Sequence, residues 1–297
     1  MEERNQYLPP PPGGGQLPPP PPIYPVTADI PPQSPQHYSS TPGTGKSRGL
    51  AGGLLAALAA AWAYGKYVLL VIFKVPALTT LLTGLISIGA YTLLFPWQVA
   101  AGLVAMIFVH EMGHVVEIRR QGMAATAPIF IPFLGAAIFQ RSHAQSPVRQ
   151  AQIGIAGPIA GTIAAVAALV LYTFTHVHVY LYWAYLGFLI NLFNMIPFGM
   201  LDGGWILAPV SKWIPVGGLG VLTALFVAGQ VNPLVLIVVA LGMPMVYRRF
   251  RDKAYDQYLT SGPVAPRYAI GAAWLALVLL LGVGLYQTEA ILQTLVR

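Results

Sequence analysis

Residues 97 to 118 read Trp-Gln-Val-Ala-Ala-Gly-Leu-Val-Ala-Met-Ile-Phe-Val-His-Glu-Met-Gly-His-Val-Val-Glu-Ile, and this stretch decides the fold. It is long enough to cross a bilayer as a helix, since about 20 apolar residues cover the hydrocarbon core. Yet it carries His110, Glu111 and His114 within five positions. Ionisable groups inside an apolar segment are expensive and mark function by default. On a helix, residues i and i+4 share a face. Two imidazoles at that spacing can grip one metal ion while Glu111 reaches the ion's water as general base. The alternative is a pair of histidines packed between helices, which leaves the cost of burial uncompensated. At about 1.5 Å per residue, His110 lies ~20 Å from Trp97 and ~13 Å from Arg119, so the expected metal sits inside the membrane.

The rest of the chain agrees with a membrane setting. Of 297 residues, 56% are hydrophobic and only 8% charged, which excludes a soluble globule because so much apolar chain would leave large patches in water. The absence of cysteine excludes disulfides, thiolate metal sites and a cysteine nucleophile, leaving His, Asp and Glu as ligands. The net charge of +7 comes from Lys and Arg at the ends of apolar segments, a topology signal and not a nucleic-acid footprint. Apart from Glu2, Glu3 and Asp29 near the start and Asp252, Asp256 and Glu289 near the end, the only acids are Glu111, Glu117 and Asp202.

Apolar runs at 50–73, 77–95, 97–118, 150–175, 179–207, 216–246 and 268–287 predict an all-α polytopic membrane protein with about six transmembrane helices. The basic loops at 119–149 and 247–267 are expected in the cytoplasm. For the same reason 216–246 should break in two, at Gly229-Gln-Val-Asn232-Pro233. Residues 1–48, rich in proline, read as a disordered cytoplasmic tail able to dock soluble partners, with no signal peptide expected. Residues 49–75 carry basic residues at both ends and read as an interfacial helix. Residues 76–250 form the expected catalytic core, and 251–297 a cytoplasmic loop and a last transmembrane helix. Residues 128–140, divided by Pro132 and Gly135, predict a small re-entrant β-hairpin.

Catalytic zinc usually has three protein ligands. Asp202, in Met200-Leu-Asp202-Gly203-Gly204-Trp205, is the candidate third, at a depth close to that of His114. Its alternative is a helix cap before the glycine pair. Glu117, beside Arg119 and Arg120, reads as a surface ion pair.

Together these residues resemble the site-2 protease family of intramembrane zinc metalloproteases. The resemblance rests on the 110–114 turn, on Gly157-Pro158 opening the next span, and on Asn194-Met-Ile-Pro197-Phe-Gly-Met-Leu201-Asp202-Gly203. It implies one Zn2+ held by His110, His114 and Asp202, with Glu111 catalytic. It further implies that Asn194 binds substrate, and that the substrates are single-span membrane proteins cut within or beside their membrane segments. The re-entrant hairpin is also implied, and its edge can pair with an extended peptide; Phe133, Leu134, Gly135 and Ala136 are the positions expected to do so. No PDZ or regulatory domain separates the motifs, and His176-Val-His178 reads as an outer loop. The expected location is a bacterial inner membrane, with the N-terminus cytoplasmic and the lipid bilayer as constant partner. Two competing readings are a membrane metal transporter and a catalytically silent scaffold.

Overall fold

The computed structural model describes residues 50–142 and 144–296; the expected proline-rich tail of residues 1–48 lies outside them. The chain divides into two compact units, Met1–Ala60 and Ala61–Arg297. Of the first unit, the described part opens a helix, α1, which covers Leu50–Lys74. The second carries the rest: α2 (Pro76–Tyr91), α3 (Trp97–Arg120), β1 (Ile129–Ile131), β2 (Gly135–Ala137), α4 (Pro147–Thr175), α5 (His178–Asn194), α6 (Asp202–Leu207), α7 (Ile214–Val227), α8 (Val235–Arg251), α9 (Lys253–Leu259) and α10 (Val264–Val296).

The fold is all-α apart from the expected hairpin. Among the described residues three helices, α3, α4 and α10, are long and apolar enough to cross a membrane. Helices α2, with 16 residues, and α5 and α8, with 17 each, fall short of that length, so of the expected six crossings three are matched by length and composition among the described residues. The run at 216–246 breaks where the sequence placed the break, between Val227 and Val235.

Two boundaries differ from expectation. The run at 179–207 is not one helix: α5 stops at Asn194, and Asp202 opens the separate short helix α6. Pro197 lies between them and Gly199 adopts a positive φ of 53°, so the backbone turns inside an apolar stretch whose hydropathy gave no sign of it. Gly157-Pro158 does not open a span but lies well inside α4. That helix starts at Pro147, capped by Ser146, whose Oγ accepts from the Arg149 amide at 3.3 Å. A buried proline is tolerated there because surrounding protein and side chains satisfy the freed backbone.

Helix α4 is the centre of the fold, packing on α3, α5, α6 and α10. Helices already in lipid gain little from burying apolar surface against one another, so close packing of small residues draws them together. Ala165, Ala168 and Ala184 are buried where α4 meets α5, in a cluster that also holds Phe188, Ile206 and Leu281. A second cluster, with Tyr91, Val99, Leu103 and Phe130, joins α2, α3 and β1.

The hairpin is antiparallel, with Ile129 opposite Ala137 and Ile131 opposite Gly135. Two threonines of α2 seat its first strand: Thr80 donates to the Pro128 carbonyl at 2.7 Å, and the Phe130 amide donates to Thr83 Oγ1 at 3.2 Å. The second strand packs beside α3 and has β1 as its one strand partner among the described residues.

Candidate metal centre

His110 and His114 project from one face of α3, as the i, i+4 spacing requires, and both are buried. Asp202 meets them from the start of α6. His110 Nε2 lies 3.0 Å from Asp202 Oδ2, His114 Nε2 3.3 Å from Oδ1, and the two Nε2 atoms are 3.2 Å apart. Asp202 is not the helix cap: that position is Leu201, and the carboxylate is directed at the imidazoles instead.

The far side of each ring fixes its tautomer. His110 Nδ1 is 2.8 Å from Asn191 Oδ1, and Asn191 Nδ2 donates to the Gly187 carbonyl at 2.7 Å. The amide is thereby oriented with its oxygen toward the ring, so His110 Nδ1 carries the proton. His114 Nδ1 lies 2.7 Å from the Ile153 carbonyl, which only accepts, so this Nδ1 is also the protonated nitrogen. Both Nε2 atoms of the neutral rings are then bare lone pairs, facing each other and a carboxylate.

Three acceptors converge and no donor serves them all; Asp202 Oδ2 is buried and receives no hydrogen bond. A proton on one Nε2 would satisfy only part of the cluster, whereas one cation satisfies all of it. The spacings also suit a single ion, since metal bonds of ~2.1 Å in a tetrahedron put ligand atoms about 3.4 Å apart. These residues therefore fit zinc. Ring nitrogens tied to a carbonyl or amide on the side away from the metal are the usual second layer of such a site.

Space for this arrangement comes from α4. A β-carbon on Gly157 would collide with the His114 ring, and one on Gly161 with the Asn191 amide. These two glycines, four residues apart on one face, let α4 lie against the ligand helix and against the helix that orients it.

The segment that follows α6 is held by arginines that the sequence marked only as topology signals. Arg249 of α8, buried, donates to the Ala208 carbonyl at 2.9 Å and the Ser211 carbonyl at 3.4 Å, and pairs with Asp256 at 3.0 Å. Arg267 of α10 donates to the Pro209 carbonyl at 2.6 Å and the Val210 carbonyl at 3.4 Å. The carbonyls of residues 208–211, just after α6, are thus bound to two other helices.

Among the remaining expected residues, Glu111 is buried and within electrostatic reach of both imidazoles and Asp202. Glu117 makes the expected ion pair, with Arg120 at 3.6 Å, and also accepts from Gln121 at 3.0 Å. Asn194 ends α5, half-buried, one turn beyond Asn191. Phe133 and Leu134 form the exposed hairpin tip, where Phe133 meets the Tyr91 ring edge-on at 5.4 Å. Gly135 and Ala136 lie in β2, half-buried. Sequence reasoning missed Asn191, Gly157 and Gly161 as supports of the site. The available signal was a carboxamide inside an apolar helix together with a small-xxx-small pair.

Residues 98–178 match Peptidase family M50. The matched stretch contains both histidines and all of α4 and ends before Asp202, which the geometry adds. The putative zinc metalloprotease Rip3 of Mycobacterium tuberculosis (strain H37Rv) is 29% identical over 140 residues, 43% of this chain and 35% of the relative. The zinc metalloprotease MJ0392 of Methanocaldococcus jannaschii is 29% identical over 113 residues, 36% and 32% respectively. The chain therefore aligns with about a third of the length of these curated relatives. Within residues 98–178 it is similar to Peptidase family M50, and over a third or so of their length to these two metalloproteases.

Proposed function

We propose that this protein is an intramembrane zinc metalloendopeptidase that hydrolyses peptide bonds within or beside the transmembrane segments of single-span membrane proteins. The observation that carries the reading is the convergence of His110 Nε2, His114 Nε2 and Asp202 with no donor among them, one residue from a buried glutamate. Zinc held by these three groups supplies Lewis acidity and a water of lowered pKa.

The chain's own residues do the rest. Asn191 and the Ile153 carbonyl hold the rings in register through their Nδ1 protons. Glu111 accepts the proton of the attacking water and returns it to the leaving amide nitrogen as the C–N bond breaks. A substrate helix must unwind before it can be cut, and its freed backbone groups need partners away from water. The outer edge of β2, at Gly135 and Ala136, can receive them as an added strand, with Phe133 and Leu134 at the tip. Asn194, whose amide has no partner among the described residues, is proposed to hold the substrate backbone. The basic residues of 119–149 and 247–267 support a cytoplasmic location for those loops and for the N-terminus, in a bacterial inner membrane, where the tail is free to dock soluble partners.

The test is Glu111→Gln in the full chain, assayed on a single-span substrate in liposomes with zinc content measured alongside. Full zinc with cleavage lowered about 10²–10⁴-fold supports the proposal. Full zinc with cleavage at the wild-type rate would sink it.

A further inference from the structure

Helices α2 and α3 do not close on each other along their length. Between them and the hairpin runs a groove with a cavity of about 660 Å³. Its floor includes buried Phe130, and its rim carries exposed Leu81, Leu85 and Phe108. Of its eighteen lining residues only Thr80, Thr126 and Arg119 have polar side chains. Both threonines are committed: Thr80 donates to the Pro128 carbonyl at 2.7 Å, and Thr126 Oγ1 accepts from the Phe139 amide at 2.9 Å. Arg119 is exposed at the basic end of the groove. The nearest acid in sequence, Glu117, pairs with Arg120 instead, and Arg119 has no ion-pair partner among the described residues.

We infer that this groove binds an anionic diacyl phospholipid, with one acyl chain along the α2–α3 cleft and the phosphate on Arg119. The shape suits the occupant. On α3 the lining runs from Ala101 to Arg119, ~27 Å at the helical rise, a long apolar trough open to one side along which an extended hydrocarbon chain can lie. The charge selects the headgroup, because an unpaired arginine at the end of an apolar trough favours an amphiphile whose polar end is negative. The site is independent of the metal centre: Arg119 lies nine residues from His110, about half a turn around α3.

Delipidated full-length protein in detergent, titrated with dioleoylphosphatidylglycerol or dioleoylphosphatidylcholine and followed by native mass spectrometry, tests the inference. The expected result is tighter retention of the anionic lipid by about fivefold. Arg119→Gln should abolish that preference, Arg119→Lys should keep it, and Arg120→Gln should leave it unchanged. Gly84→Leu, which projects into the cleft past a Phe130 ring that its Cβ meets at an ordinary 3.5 Å, should weaken both lipids. Zinc content equal to wild type in every variant confirms that the fold is intact. Equal retention of the two lipids, or an Arg119→Gln variant that still prefers the anionic one, overturns the inference. So does full competition by glycerol phosphate, which lacks chains, or displacement of bound lipid by a transmembrane peptide.

Discussion

Asn191 has no titratable group and touches no expected ion, yet it sets the state of one that does. Its oxygen can face His110 only because its nitrogen is engaged by the Gly187 carbonyl, and that pairing leaves His110 Nε2 bare for a metal. Asn191→Leu should therefore weaken zinc binding about 10–100-fold, measured by competition with a chelating dye, while Asn191→Asp, which keeps an acceptor, recovers part of it. An unaltered affinity in Asn191→Leu would show that the ring is held by packing alone. The residues that were legible in the sequence are the charged ones. His110, Glu111, His114 and Asp202 stand out because lipid penalises them so heavily that function is the default reading of such residues. A carboxamide in an apolar run is cheap enough to have ordinary explanations, so Asn191 was invisible in the sequence although it lies one turn from Asn194, which the family motif names.

Helices supply the precision of the site at the places where they come closest. Gly157→Ala would normally favour a helix interior by roughly 1 kcal/mol, but here the new methyl group meets His114. Loss of zinc is expected, and Gly217→Ala in α7, where nothing lies within 4 Å, should be neutral for zinc and mildly stabilising. If Gly157→Ala binds zinc normally, α4 can shift and the close approach is not required. At the other end of the site, Arg249→Met removes a buried ion-pair partner and the bonds to two carbonyls of the segment that follows α6. A cost of roughly 3 kcal/mol is expected in thermal unfolding, together with weaker zinc binding; unchanged stability would mean that Arg267 suffices. These contacts explain why element types were easier to read than their roles. Hydropathy located nearly every helix, and the proline-containing break at 228–234 was legible from its residues. The turn at 195–201 was not, because it is as apolar as the helices on either side. The sequence read Arg249 and Arg267 as basic loop markers; they lie in α8 and α10, and only tertiary structure could show that they reach inward.

At the scale of the whole molecule, the metal centre ties α3 to α6, and its second layer adds α4 and α5. Zinc should accordingly contribute to global stability. With free zinc a hundredfold above Kd the increment is about 2.7 kcal/mol, so phenanthroline should lower Tm by several degrees and added zinc should restore it. A Tm indifferent to chelation would argue against a bound ion. The chain has no cysteine, so sidedness can be mapped without background. Gln140→Cys and Gln257→Cys should react with an impermeant maleimide from the cytoplasmic face and Val177→Cys from the opposite face; the reverse pattern would invert the topology. Finally, the lengths of the helices bear on the choice of membrane. A helix of 16 residues, such as α2, rises only ~24 Å against a hydrocarbon core of about 30 Å. If such a helix crosses, thinning of the surrounding lipid relieves the mismatch and brings headgroup water nearer to the proposed hydrolysis. On that proposal bilayer thickness becomes a control, and the protein should work faster in short-chain lipids than in long-chain ones.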